Sequence, residues 1–141
     1  MINLLKLRKH PTVLTPHLGE FKRLCPFNDE DDLLYIAKEF AKNYHVILVL
    51  KGPYTIVTDG NHAYRIIAGN KAMSTAGMGD VLAGMITSFL GQGYLALDSA
   101  IIGVFTHGYI GDQIAQNAYS VIASKMIDHI PNAMYQIKNM K

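Results

Sequence analysis

Val46-Ile47-Leu48-Val49-Leu50 is an unbroken, β-branched-rich apolar run closed by Lys51-Gly52-Pro53. The run, extended back to His45, is predicted to be a buried strand. What flanks it sets the fold class. Upstream, Thr12-Val13-Leu14-Thr15 reads as a shorter buried strand entering a turn at Pro16. Between the two, Leu33, Leu34, Ile36, Ala37 and Phe40 recur at helical spacing behind Asn28-Asp29-Glu30-Asp31-Asp32. That acidic run is expected to start the helix, where carboxylates suit the positive end of the dipole. Downstream, Thr55–Thr58 and Ala63–Ile67 flank Asp59-Gly60-Asn61 and predict a hairpin.

From Asp80 onward only helical periods remain. Asp80–Leu90 is predicted to be a helix ended by Gly91-Gln92-Gly93. A second helix is expected from Asp98 to about Ala115, and a third over Ser120–His129, with Pro131 opening one further turn. No repeat, low-complexity tract or linker interrupts the order. Strand, helix, strand, hairpin and then helices make an α/β fold in a single domain over residues 1–141.

Composition excludes several classes of partner. The net charge is +2, with 13 basic and 11 acidic side chains in no long block of one sign. This gives no footprint for nucleic acid or an anionic membrane surface. Cys25 is the one cysteine, so the chain alone builds neither a disulfide nor a cysteine zinc site. The remaining histidines at 10, 45, 62 and 129 show no metal-ligand pairing. Met1–His10 lacks the apolar run and cleavage pattern of a signal peptide, and no apolar stretch is long enough to span a bilayer. The expected setting is a reducing cytoplasm.

Four segments could carry chemistry. Ser74-Thr75-Ala76-Gly77-Met78-Gly79-Asp80 places small residues directly before an apolar helix. Free N–H groups at such a helix start, with the dipole behind them, form an anion site that suits a phosphoryl group. A carboxylate beside a phosphoryl needs a reason, and a base that takes a proton from an attacking hydroxyl is one. An N-cap role for Asp80 with a plain tight turn explains the spacing equally well. No Walker motif or dinucleotide fingerprint is present.

The second segment, Lys51-Gly52-Pro53-Tyr54-Thr55, ends a buried strand, where open α/β sheets bind ligands. The alternative is a solvated surface turn. The third, Thr15-Pro16-His17-Leu18-Gly19-Glu20, could address a polar substrate or a hydrated magnesium ion, or simply open a helix. In the fourth, Thr106 to Asp112, two glycines sit inside a predicted helix. Each costs roughly 1 kcal/mol relative to alanine, which close packing against a neighbour or ligand would offset. His107 reads best as a core histidine.

Taken in order, these segments resemble the ADP-dependent NAD(P)H-hydrate dehydratases of the ribokinase-like superfamily. Thr15 to Glu20 resembles that family's Thr-Pro-His-Pro-Gly-Glu loop, with Leu18 in place of proline. Lys51 to Thr55 resembles its Lys-Gly-x-x-Thr turn. Gly69-Asn70 through Gly84 resembles its Gly-Asn-x-x-Met-Ala-Thr-Gly-Gly-x-Gly-Asp-Val-Leu-Ala-Gly stretch, with Ala76 for the first glycine of the pair. His107-Gly108 with Gly111-Asp112, and Ile130-Pro131-Asn132-Ala133, complete the set. Ile2-Asn3-Leu4-Leu5 looks like the end of a family strand, and the resemblance then leads us to expect the preceding half of the family domain to be missing from this chain.

The resemblance implies a ribokinase-like three-layer sandwich, represented by its C-terminal half. It implies repair of hydrated NADH or NADPH, with ADP or ATP as phosphoryl donor and Mg2+ as cofactor. Asp80 would be the base and touch the substrate, and Gly77, Met78 and Gly79 would form the anion hole. Lys51, Gly52, Pro53, Tyr54, Thr55 and Gly79 would bind the nucleotide. His17 would contact the hydrated dinucleotide, and Glu20 would meet magnesium through water. The expected partners are a second copy or a complementing N-terminal half, with no nucleic acid and no membrane. The alternatives are a ribokinase-like small-molecule kinase and a nucleotide-binding fragment that is inactive on its own.

Overall fold

The computed structural model describes residues 2–140, which divide into two units. The first takes residues up to Ile66 together with Leu95–Ile101, and the second takes Ile67–Tyr94 and residues from Ile102 on.

The first unit is built on a four-stranded sheet in the order β1 (Thr12–Leu14), β2 (Val46–Leu50), β3 (Thr55–Thr58), β4 (Ala63–Ile66). β1 pairs parallel to β2, with Thr12 opposite Val46. β2–β3 and β3–β4 are antiparallel, with Leu48 opposite Thr58 and Thr58 opposite Ala63. Every residue of β2 is buried, as its unbroken apolar run requires. Helices α1 (Leu18–Leu24) and α2 (Leu33–Tyr44) bring Phe21, Ala37, Phe40 and Ala41 into one cluster with Val46, Leu48, Leu50 and Ile56. Phe21 and Phe40 meet edge to face with centroids 5.1 Å apart.

Besides β1 ending at Leu14, one residue short of the expected Thr15, three boundaries in this unit differ from expectation. The acidic run does not enter α2. Asp32 is the N-cap, its Oδ1 accepting from Leu34 and Tyr35 N–H, while Asp31 folds back onto Asn28 N–H. A carboxylate closing an Asx turn or cap competes with helical backbone bonds and so halts the helix there. His45 is not the first strand residue but a left-handed cap of α2, with φ 53°. Ile2–Leu7 is a 3-10 turn rather than a strand end. The three-residue period puts Ile2 and Leu5 on one face against the core and leaves Leu4 and Leu7 exposed, whereas strand alternation would part Ile2 from Leu5.

The hairpin has a specific reason for its glycine. Gly60 has φ +93°, and a Cβ there would stand 2.6 Å from the Lys42 backbone nitrogen. Thr58 Oγ1 accepts from Gly60 N–H and donates to the His62 carbonyl.

The second unit is helical. Its elements are a 3-10 turn (Lys71–Met73), α3 (Met78–Gly91), most of α4 (Ala96–Ala115) and α5 (Ala123–Lys138). Its core gathers Met78, Val81, Met85, Ile110, Val121, Met126 and Ala133. α4 starts two residues before Asp98, which lies in its first turn. α5 starts three residues after Ser120 and runs unbroken through Pro131, so no separate turn begins there. Proline removes one helical hydrogen bond. Met126 on one side and Ala133 on the other are fully buried in the core, and this packing carries the helix across the gap. No described helix is long and apolar enough to cross a membrane.

Candidate functional site

In the first unit the ends of β1 and β2 meet. Lys51 N–H donates to the Pro16 carbonyl at 2.9 Å, and His17 bridges Lys51 in parallel register. This juxtaposes two segments that lie far apart in sequence. His17 is the N-cap of α1 in a complete capping box. Its Nδ1 accepts from Glu20 N–H at 3.2 Å, and Glu20 Oε2 accepts from His17 N–H at 2.7 Å. With Nδ1 an acceptor, the neutral ring carries its proton on Nε2, which stands 3.4 Å from Glu20 Oε1.

The hydrogen bond from His17 N–H holds the Glu20 carboxyl below its ordinary range, and the positive charges of Lys51 and Arg23 act in the same direction. The turn Gly52-Pro53-Tyr54 is exposed, with Thr55 half-buried at the start of β3. Beside it lies a hollow of about 280 Å³ lined by Leu18, Gly52, Pro53, Tyr54 and Arg65.

In the second unit Gly77 is the N-cap of α3, with φ +86° and no side-chain hydrogen bond to the helix start. The cap lacks an acceptor of its own, so the first-turn N–H groups are left as donors. Met78 N–H reaches the Thr75 carbonyl only at 3.5 Å. The Met78 side chain is buried in the core and pins the turn from below. Asp80 lies in this first turn, exposed, and makes no hydrogen bond or ion pair among the described residues. The N-cap reading of Asp80 therefore fails, because Gly77 occupies that position. A groove of about 770 Å³ starts at Gly77 and Asp80 and runs along α3 and α5 past Val81, Gly84, Ile127 and Met134. Its size is that of small-molecule sites.

The glycines of α4 answer to a neighbour rather than a ligand. A Cβ on Gly108 would stand 2.4 Å from the Ala68 carbonyl oxygen, and one on Gly111 2.2 Å from Met73 Sδ. Segment 68–73 thus lies directly on the helix. Asp112 completes the contact and was not singled out for a role from sequence. Its Oδ2 accepts from Gly69 N–H at 2.9 Å and its Oδ1 from Asn70 Nδ2 at 2.7 Å. The acid following Gly-x-x-Gly on a helix, with no obvious helical partner, was the available clue. His107 is half-buried on the same helix.

The sequence profile of the NAD(P)H-hydrate dehydratases matches residues 2–132. The chain belongs to this family. An ADP-dependent (S)-NAD(P)H-hydrate dehydratase of Staphylococcus aureus is 35% identical over 127 residues, 90% of this chain and 46% of that protein. A Bacillus subtilis ADP/ATP-dependent NAD(P)H-hydrate dehydratase co-crystallized with ATP/Mg2+ superposes with a TM-score of 0.84 at 27% identity, over 92% of this chain and 49% of that one. A ribokinase-like superfamily protein of Enterococcus faecalis superposes at 0.82 with 29% identity, over 96% and 50%. The α/β fold is thus ribokinase-like, and the chain spans about half the length of these three relatives.

Proposed function

We propose that this chain, residues 1–141, is the C-terminal portion of the family domain and supplies the base and phosphoryl-binding turn for nucleotide-dependent dehydration of hydrated NADH or NADPH. The observation that carries this is the start of α3, where an exposed Asp80 without a partner among the described residues stands in the first turn behind a glycine cap that leaves the backbone donors open. Asp80 takes the proton of the ring hydroxyl, and that oxygen attacks the terminal phosphorus of ADP or ATP. The shortened nucleotide leaves. The phosphate ester then departs as inorganic phosphate while the neighbouring carbon loses a proton, which restores the ring double bond. N–H groups around Gly77, Met78 and Gly79 stabilise the charge on the transferring phosphoryl.

Lys51, Gly52, Pro53, Tyr54, Thr55 and Gly79 bind the nucleotide in this account, and His17 contacts the hydrated ring through Nε2. No three His, Cys, Asp or Glu side chains among the described residues converge as a metal set. Glu20 would meet a nucleotide-bound magnesium ion through water in this reading. The lone Cys25 suits a reducing compartment such as the cytoplasm.

The chain's span, 46% of the S. aureus relative, favours a second reading in which this part binds nucleotide but needs a complementing N-terminal half, or a second copy, for turnover. Product analysis separates these readings from a small-molecule kinase. Hydrated NADH, magnesium and ADP are incubated with the chain, and the phosphorus products are resolved. Inorganic phosphate and AMP in equal amounts support the dehydratase. A stable phosphorylated acceptor contradicts it in favour of a kinase. ADP bound without turnover, restored by adding the upstream half, supports the second reading.

A further inference from the structure

We propose that Asp112 is a positioning residue for the phosphoryl-binding turn, an inference that rests on the assignment of that turn above. The carboxylate fixes the chain at Gly69 and orients the Asn70 amide by taking a hydrogen bond from its Nδ2. So oriented, Asn70 Oδ1 accepts from Ala72 N–H at 2.9 Å and caps the 3-10 turn Lys71–Met73. The tie continues from there. The Ala72 carbonyl accepts from Val121 N–H at 2.8 Å, and the Thr75 hydroxyl donates to the Val121 carbonyl. Two residues later comes Gly77, which has no side chain to fix the helix start itself. The direction of the donors around Gly77 to Gly79 is therefore set from outside α3, through a relay that begins at Asp112. Gly111 allows Met73 to lie against α4 beside this carboxylate.

The chemistry of the pair supplies a sharp test. In Asp112→Asn, the new amide NH2 opposes either the Asn70 NH2 or the Gly69 N–H, unless Asn70 turns over and gives up Ala72 N–H. In Asn70→Asp, two carboxylates face each other. The double swap, Asn70→Asp with Asp112→Asn, restores all three hydrogen bonds with the roles exchanged.

ADP affinity would be measured by calorimetry on the native chain and the three variants, alongside amide exchange of residues 69–80 and of Val46–Leu50. Each single variant should bind ADP about tenfold more weakly, the scale of one hydrogen bond to a charged group. Exchange should quicken over residues 69–80 but not in Val46–Leu50, and the swap should recover both. Singles that bind as the native chain does, a swap no better than the singles, or exchange that quickens equally in Val46–Leu50 would each overturn the inference. A native chain that binds no ADP refutes the assignment of the turn instead, and the exchange pattern alone then decides the positioning.

Discussion

Gly108 on α4 and Ala68 lie so close that a Cβ on the glycine would stand 2.4 Å from the Ala68 carbonyl oxygen. The obstacle is backbone, so it cannot turn aside as a flexible side chain would. Gly108→Ala must push segment 68–73 off the helix and stretch the Asp112 bonds to Gly69 and Asn70. The expected cost is about 1–3 kcal/mol, the range of overpacked positions, despite alanine's better helix propensity. Chemical denaturation of the two proteins checks it; equal stability would show that the segment has room to move.

Gly77→Ala acts on backbone conformation more than on packing. Its φ of +86° disfavours any side chain, and the new methyl would lie 3.1 Å from the Ala123 methyl. The turn is expected to relax away from the left-handed region, so nucleotide affinity should fall more than stability does. A titration of ADP against each protein, paired with its melting temperature, separates the two effects.

His17 has two separable tasks in this account. His17→Ala removes the side-chain acceptor for Glu20 N–H and should cost about 1 kcal/mol, as for other lost caps. His17→Asn keeps an acceptor at the cap and should hold stability near that of the native chain, but it replaces the ring offered to the substrate. A raised KM for hydrated NADH with unchanged melting in His17→Asn is the expected result. Native KM in that variant would leave His17 only its structural task.

The Asp59 carboxyl gives a pH dependence of definite sign. Burial pushes it up, but hydrogen bonds from the His62 and Asn61 amides and the His62 ring outweigh this and hold it below the ordinary value. A carboxyl depressed in the folded state stabilises the fold above its unfolded value, and that stability is lost as pH falls through the folded one. Acid unfolding of Asp59→Asn should therefore be shallower than that of the native chain below the ordinary aspartate range, with the difference confined to that window.

The strands were legible because each carries its evidence within a few residues. Val46–Leu50 is apolar throughout, and Asp59-Gly60-Asn61 marks the β3–β4 hairpin directly. What escaped is what depends on partners distant in sequence. Ile2–Leu7 has a strand-like composition, and only the core behind Ile2 and Leu5 selects the three-residue period. Pro131 marks a helix boundary by local rules, yet burial of Met126 and Ala133 carries α5 past it. The same division holds around α3. The place of Asp80 at a helix start was legible from its glycines, whereas Asp112 bonds to Gly69 and Asn70, more than forty positions away, and only the fold shows the pairing.

Asp80→Asn tests whether Asp80 is the base. With hydrated NADH, magnesium and ADP supplied, and the upstream half added if the native chain needs it, the return of NADH absorbance is followed for both proteins. ADP-dependent recovery is expected with the native residue and a rate lower by about 10²–10⁴-fold with asparagine, the usual contribution of a general base, while calorimetry still finds ADP bound. Recovery at the native rate in Asp80→Asn would contradict that role.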